Sequence, residues 1–184
     1  NAIALGYNSV ASGSRSLALI QGSTASGMRS IAAGLGAVSS GVNSIAIGSN
    51  NATASAQSAI ALGADSVASG NYSVALQKGQ ASGVSSFTAV IDNNTTSYGA
   101  IGANSIAMGN YNKSTGTQSI SLGGLGNVSS GNSSFVTGYQ ALASGAYGVA
   151  AGFQAQATEP STVALGYQAD ASAIYSIAIG NNAK

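Results

Sequence analysis

Residues 43 to 63, NSIAIGSNNATASAQSAIALG, state one phrase twice: Ser44-Ile45-Ala46-Ile47-Gly48 returns as Ser58-Ala59-Ile60-Ala61-Leu62-Gly63. In each statement a large apolar side chain alternates with a small one, and a glycine follows. Alternation with period two marks a short β-strand, and the glycine marks a turn. Nothing in the phrase can act as an acid, base, nucleophile or metal ligand, so its task has to be structural.

Outward from this pair the phrase recurs along the chain. The first large apolar residues of its copies are Ile3, Leu17, Ile31, Ile45, Ile60, Val74, Phe87, Ile106, Ile120, Phe135, Val149, Val163 and Ile177. Their spacings are 14, 14, 14, 15, 14, 13, 19, 14, 15, 14, 14 and 14 residues, which identifies a repeat architecture. Between copies runs a weaker alternation, as in Thr24-Ala25-Ser26, Val67-Ala68-Ser69, Leu142-Ala143-Ser144 and Asp170-Ala171-Ser172. Its first column accepts Val, Thr, Lys113, Gln156 and Asp170 alike, so that column is expected to meet water while the small neighbours point inward. Each copy thus holds one strong strand, one thin strand and two turns. Stacking such coils lets every backbone N–H and C=O pair with the coil above or below. The expected fold is all-β: a narrow parallel β-solenoid of about thirteen 14-residue coils. It should form a single repeat domain over 1–184, with an irregular middle coil and an insertion around 91–103. A helical repeat would need 3.6-residue periodicity, longer units and fewer glycines.

Composition narrows the function. Only 5% of the 184 residues are charged, against roughly a quarter in ordinary soluble proteins, yet 45% are hydrophobic and the net charge is +1, which is unlike a disordered chain. The basic residues Arg15, Arg29, Lys78, Lys113 and Lys184 are scattered and form no patch for a phosphate backbone, so nucleic acid is not expected as a partner. There is no His and no Cys, and the abundant serines have no base to activate them. Neither catalytic residues, metal ligands nor a cofactor are expected, and calcium binding of the nonapeptide type would need an Asp in every turn. No apolar run reaches about eighteen residues, so this segment is expected to make no direct membrane contact. Both ends fall inside copies of the phrase, which suggests a piece of a longer protein. An ice-binding face would need an unbroken Thr column, but Val38, Val67 and Val128 interrupt the one begun by Thr24 and Thr53.

Two or three large side chains per coil offset the entropy of ordering that coil only in part. A further buried surface is therefore expected. The thirteen marked residues are assigned to the repeat core, and the small face of the strong strand, Ser44, Ala46, Gly48 and their equivalents, to close approach by another sheet. Oligomerisation follows from that assignment.

The phrases NSIAIG (43–48), NSIAMG (104–109), STVALG (161–166) and YSIAIG (175–180), alternating with ASG, resemble the head repeats of trimeric autotransporter adhesins, the YadA-like group. The resemblance implies a left-handed β-roll, a homotrimer, and display above the outer membrane of a Gram-negative bacterium. It also implies adhesion through multivalent binding to host matrix proteins, cell-surface receptors or other bacterial cells. The alternative is a purely structural spacer or fibre segment whose ligand is bound by another domain. The family's neck, coiled-coil stalk and anchor are not in this sequence, and Ile20, Gln77 and Val90 stand where glycine is usual.

Two candidate ligand-binding features stand out. Tyr139, Phe153 and Tyr167 each follow a turn glycine and lie one coil apart, so they should stack, either as packing that stiffens the last coils or as an adhesive stripe. Tyr72, Tyr147 and Tyr175, two residues before their strands, carry the same two readings. The insertion contributes Asp92, Asn93, Asn94, Thr95 and Tyr98, as a binding loop or a tolerated bulge.

Overall fold

A computed structural model of the chain describes residues 1–89 and 98–184. Each of the thirteen marked residues opens a strand of three to five residues, so the repeat seen in the sequence sets the strand boundaries. Every strand pairing described is parallel, and equivalent residues of successive copies are partners: Ile45 pairs with Ile31 and Ile60, Ala46 with Ala32 and Ala61. The fold is an all-β parallel β-solenoid. No helix among the described residues is long and apolar enough to cross a membrane.

The chain divides into two compact units, Asn1–Ala89 and Val90–Lys184, and the division falls at the insertion. In the first unit, one sheet joins Ile3–Leu5, Leu17–Leu19, Ile31–Ala33, Ile45–Ile47, Ile60–Leu62, Val74–Leu76 and Phe87–Ala89. The other sheet joins the two-residue strands Val10–Ala11, Thr24–Ala25, Val38–Ser39, Thr53–Ala54, Val67–Ala68 and Gln80–Ala81. In the second unit the strong strands run from Ile106–Met108 to Ile177–Ile179. Its thin strands run from Gly99–Ala100 to Asp170–Ala171.

The core lies between the two sheets of each unit and is made of alanine. In the first unit Ala18, Ala32, Ala46, Ala61 and Ala75 from the strong strands meet Ala25, Ala54, Ala68 and Ala81 from the thin ones, all at 0% exposure. In the second, Val136, Ala150, Ala164 and Ala178 meet Ala143, Ala157 and Ala171. The thin strands turn their small residues inward and their variable column outward, as their sequence predicts. The strong strands reverse the assignment made from sequence. Ala46 points into the roll, and Ile45 and Ile47 point out. Of the thirteen residues assigned to the core, Ile3 and Ile177 are exposed and Leu17, Ile31, Ile45, Ile60, Val74, Phe87, Ile106, Ile120, Phe135, Val149 and Val163 are only half-buried. The small face, Ser44 and Ala46 with their equivalents, closes the roll itself.

Turn geometry gives the reason. Gly13 O accepts from Ser16 N at 3.2 Å and Gly6 O from Ser9 N at 3.3 Å, so this coil reverses through β-turns on both sides. The ends of such a turn lie less than about 7 Å apart, whereas sheets packed through large side chains stand ~10 Å apart. Only one small side chain from each sheet fits between, and the large ones are left outside.

Irregular spacings are absorbed in turns. The 15-residue interval after Ile45 places its extra residue where Asn50 and Asn51 are both left-handed, at φ 53° and 64°. The interval after Ile120 takes up its extra residue at Gly123-Gly124. The 13-residue interval after Val74 closes with Gly79 N donating to Leu76 O at 3.1 Å. Ile20 and Gln77 adopt the positive φ of the glycine column they interrupt, 78° and 35°; Val90 lies outside the described residues.

Candidate functional site

The outward face of the strong sheet carries large apolar side chains in each unit. In the first, parallel register sets Leu17 beside Ile31, Ile45 and Ile60, and sets Leu5 beside Leu19. Ile47 is 44% exposed and Leu62 37%. In the second unit Ile106, Ile120, Phe135, Val149, Val163 and Ile177 form the equivalent column. Two outward columns, mostly large and apolar but broken by Ala33, Ala89, Thr137 and Ala151 in the second column, recur every ~4.8 Å along each stack and present uncharged side chains of the kind that mark interaction sites.

Tyr139, Phe153 and Tyr167 are brought together. Tyr139 and Phe153 stack with centroids 5.2 Å apart and planes 2° from parallel; Phe153 and Tyr167 stack at 5.0 Å and 6°. The preceding glycines permit this closeness, because a Cβ on Gly138 or Gly152 would stand 2.2 Å from the carbonyl oxygen of the next coil's glycine. Tyr139 and Phe153 end the long strands Phe135–Tyr139 and Val149–Phe153 and pair in register. Their facing rings are spent on one another, while their edges remain in solvent. Tyr72, Tyr147 and Tyr175 stay exposed, each at a left-handed turn position with φ between 60° and 62°. Tyr98 is half-buried, with its ring edge-on to Tyr111 at 5.2 Å. Asp92, Asn93, Asn94 and Thr95 lie outside the described residues.

Sequence reasoning missed two amide ladders. Asn112 and Asn127 are fully buried in a column held elsewhere by Ala52, Ala141, Ala155 and Ala169. Asn127 Nδ2 donates to Leu122 O and Gly138 O, both at 2.9 Å, and its Oδ1 accepts from Ala141 N at 3.0 Å. Asn112 Oδ1 accepts from Asn127 N at 3.1 Å. Three coils are thereby stitched through side chains. The same column holds Ser9, Ser23, Ser66 and Gly79, so the available signal was two asparagines in a column otherwise mostly of Ala, Ser and Gly. The second ladder is exposed: Gln154 Nε2 donates to Gln140 Oε1 at 3.1 Å, and Gln168 Nε2 to Gln154 Oε1 at 2.9 Å. These residues stand directly after the stacked rings, one coil apart, and border a groove of about 460 Å³ together with Gln156, Asp170, Asn182 and Lys184.

Several buried serines are hydrogen-bonded within the fold, whereas Ser16, Ser30 and Ser73 keep buried hydroxyls without a partner among the described residues. Ser39 and Ser44 share a hydrogen bond at 2.6 Å, and Ser114 with Ser119 and Ser129 with Ser134 repeat it. Among the described residues no three of His, Cys, Asp and Glu gather as a metal site would require.

The model of the YadA head domain repeat (2 copies) matches residues 1–19, 21–51, 54–76, 100–125, 129–155 and 157–183. Of the five breaks, those at Ile20, 52–53, 77–99 and 126–128 coincide with the left-handed isoleucine, the first long coil, the region of the short coil and insertion, and the second long coil; the fifth is at Gln156. No curated protein matches the chain. The family is a structural and adhesive one. Matched over most of its length and built as a parallel solenoid with a strong strand in each described coil, the chain belongs to the YadA head family.

Proposed function

We propose that this chain is the head of a surface adhesin that works as a homotrimer. The observation that carries the reading is the outward face of large aliphatics on both units. A chain that keeps mainly small side chains inside and places most of its large aliphatic ones outside has left much of its hydrophobic stabilisation for contact with other copies. Display on the outer membrane of a Gram-negative bacterium, through an anchor outside this segment, goes with membership of the family. The ligands would be host matrix proteins, cell-surface receptors or other bacterial cells. Each weak site would be present three times per trimer and many times per cell, so that modest contacts add up to avidity. The stacked rings Tyr139, Phe153 and Tyr167 and the segment with Asp92, Asn93, Asn94, Thr95 and Tyr98 remain the proposed contact points.

Light scattering of the chain, alone and fused to a trimeric coiled coil, tests the assembly. A mass near three times 17.6 kDa supports it; a well-folded single chain in both forms refutes it. Trimers are then assayed on collagen, fibronectin, laminin and cultured cells. Intact trimers that bind none of these favour the spacer reading, in which the head only holds another domain away from the cell.

A further inference from the structure

We propose that the carboxamide-lined groove of the second unit is a binding site for a neutral linear glycan lying along the direction of coil stacking. The groove is lined by Gln140, Gln154, Gln168, Gln156, Asp170 and Lys184, with Asn182 beside them. No apolar side chain contributes to it, which disfavours a hydrophobic ligand. Its one carboxylate and one ammonium oppose each other in sign, which gives a polyanion little to neutralise. What remains is a row of amides, each with a donor and an acceptor at one end. A sugar hydroxyl also donates and accepts, and so is matched by such a row.

The ladder prepares these groups for binding. Gln154 uses one N–H toward Gln140 and one oxygen lone pair toward Gln168; a carboxamide has two N–H donors and two lone pairs, so one of each is left over. Because the side chain is held from both sides, ordering it on binding costs less than it would for a free glutamine. Gln156 and Asp170 are partners in register on adjacent thin strands. Equivalent groups therefore recur at the coil spacing of ~4.8 Å, whereas an extended peptide advances about 3.3 Å per residue and drifts out of step. A pyranose ring with its linkage is comparable in length to one coil, so several sugars can lie along the row, each offering hydroxyls to the amides it passes.

One chain builds the whole groove, so the proposal stands apart from the trimer. The test is titration calorimetry of the chain with chitohexaose, cellohexaose and maltohexaose, beside a heparin fragment and a collagen-like peptide. At least one neutral hexasaccharide should bind, with its disaccharide weaker. Gln154→Ala and Gln156→Ala should each weaken binding about fivefold or more, the loss expected when a ligand hydrogen bond of about 1 kcal/mol disappears. Gln156 stands outside the ladder, so its replacement separates ligand contact from any loosening of the glutamine row. The proposal is overturned if no neutral oligosaccharide binds, if both variants bind as well as the parent, or if heparin or the peptide takes the groove in preference. A chain that stays monomeric yet binds the sugar refutes the assembly and keeps the site.

Discussion

Ile20 shows what a single position costs in this fold. It occupies the column of Gly6 and Gly34 with φ 78° and is 57% exposed, so it bears the left-handed penalty of roughly 1–2 kcal/mol with little burial in return. Ile20→Gly should raise stability by about 1 kcal/mol once glycine's own entropy is counted; an unchanged midpoint in urea would show that the side chain compensates for its backbone. The serine column makes a second comparison. Ser44 Oγ donates to Gly41 O at 2.7 Å while accepting from Ser39, but Ser30 Oγ faces Ala25 and is buried without a partner. Ser44→Ala should cost about 1–3 kcal/mol by stranding Ser39, and Ser30→Ala should be close to neutral. Chemical denaturation of the two variants under one set of conditions decides it, and equal losses would contradict the bonding described.

At the level of strands and ladders, the sequence revealed position better than direction. Glycine punctuation and period two marked the first residue of each strong strand, because turns need particular backbone conformations and strands expose alternate faces. Which face of Ile45-Ala46-Ile47 lies inside could not be read from alternation, since both faces are apolar; the width left by the turns decides it. The aromatic stack was legible because one coil separates its members in sequence. The glutamine stack had the same spacing but lacked the hydrophobicity that draws notice, and Asn112 and Asn127 were hidden by how common Asn is in this chain. The buried pair gives an element-scale prediction. Asn127→Ala installs the residue type of the following coil, Ala141, yet it should destabilise the second unit by about 1–3 kcal/mol because the Ala141 N–H and the Leu122 and Gly138 carbonyls lose this partner. Hydrogen exchange of the Ala141 amide should accelerate, and unchanged protection would mean that water replaces the asparagine.

For the whole molecule, the inside and outside of the roll predict opposite consequences of substitution. Ile47→Asn combined with Leu62→Asn alters two outward neighbours in register. In an isolated chain these should shift stability by about 0.5 kcal/mol or less each, as surface changes do, while the assembled mass falls toward that of one chain. Ala46→Val adds two methyl groups to a core without room and should cost about 1–3 kcal/mol in folding even where assembly is prevented. Circular dichroism melts with light scattering on the same samples separate the two, and a double variant that still forms trimers would place the interface elsewhere.

The strict pairing of each coil with its copy also bears on length. Ser30 precedes Ile31 as Ser44 precedes Ile45, and Ile31 and Ile45 are register partners. Removing residues 31 to 44 would therefore join Ser30 to Ile45 and leave Leu17 beside an isoleucine, as it is now. No contact would need to be invented for the shorter form, nor for one with a coil duplicated. Within a unit, the number of coils can thus change one at a time while the pairing that holds each coil to the next stays the same.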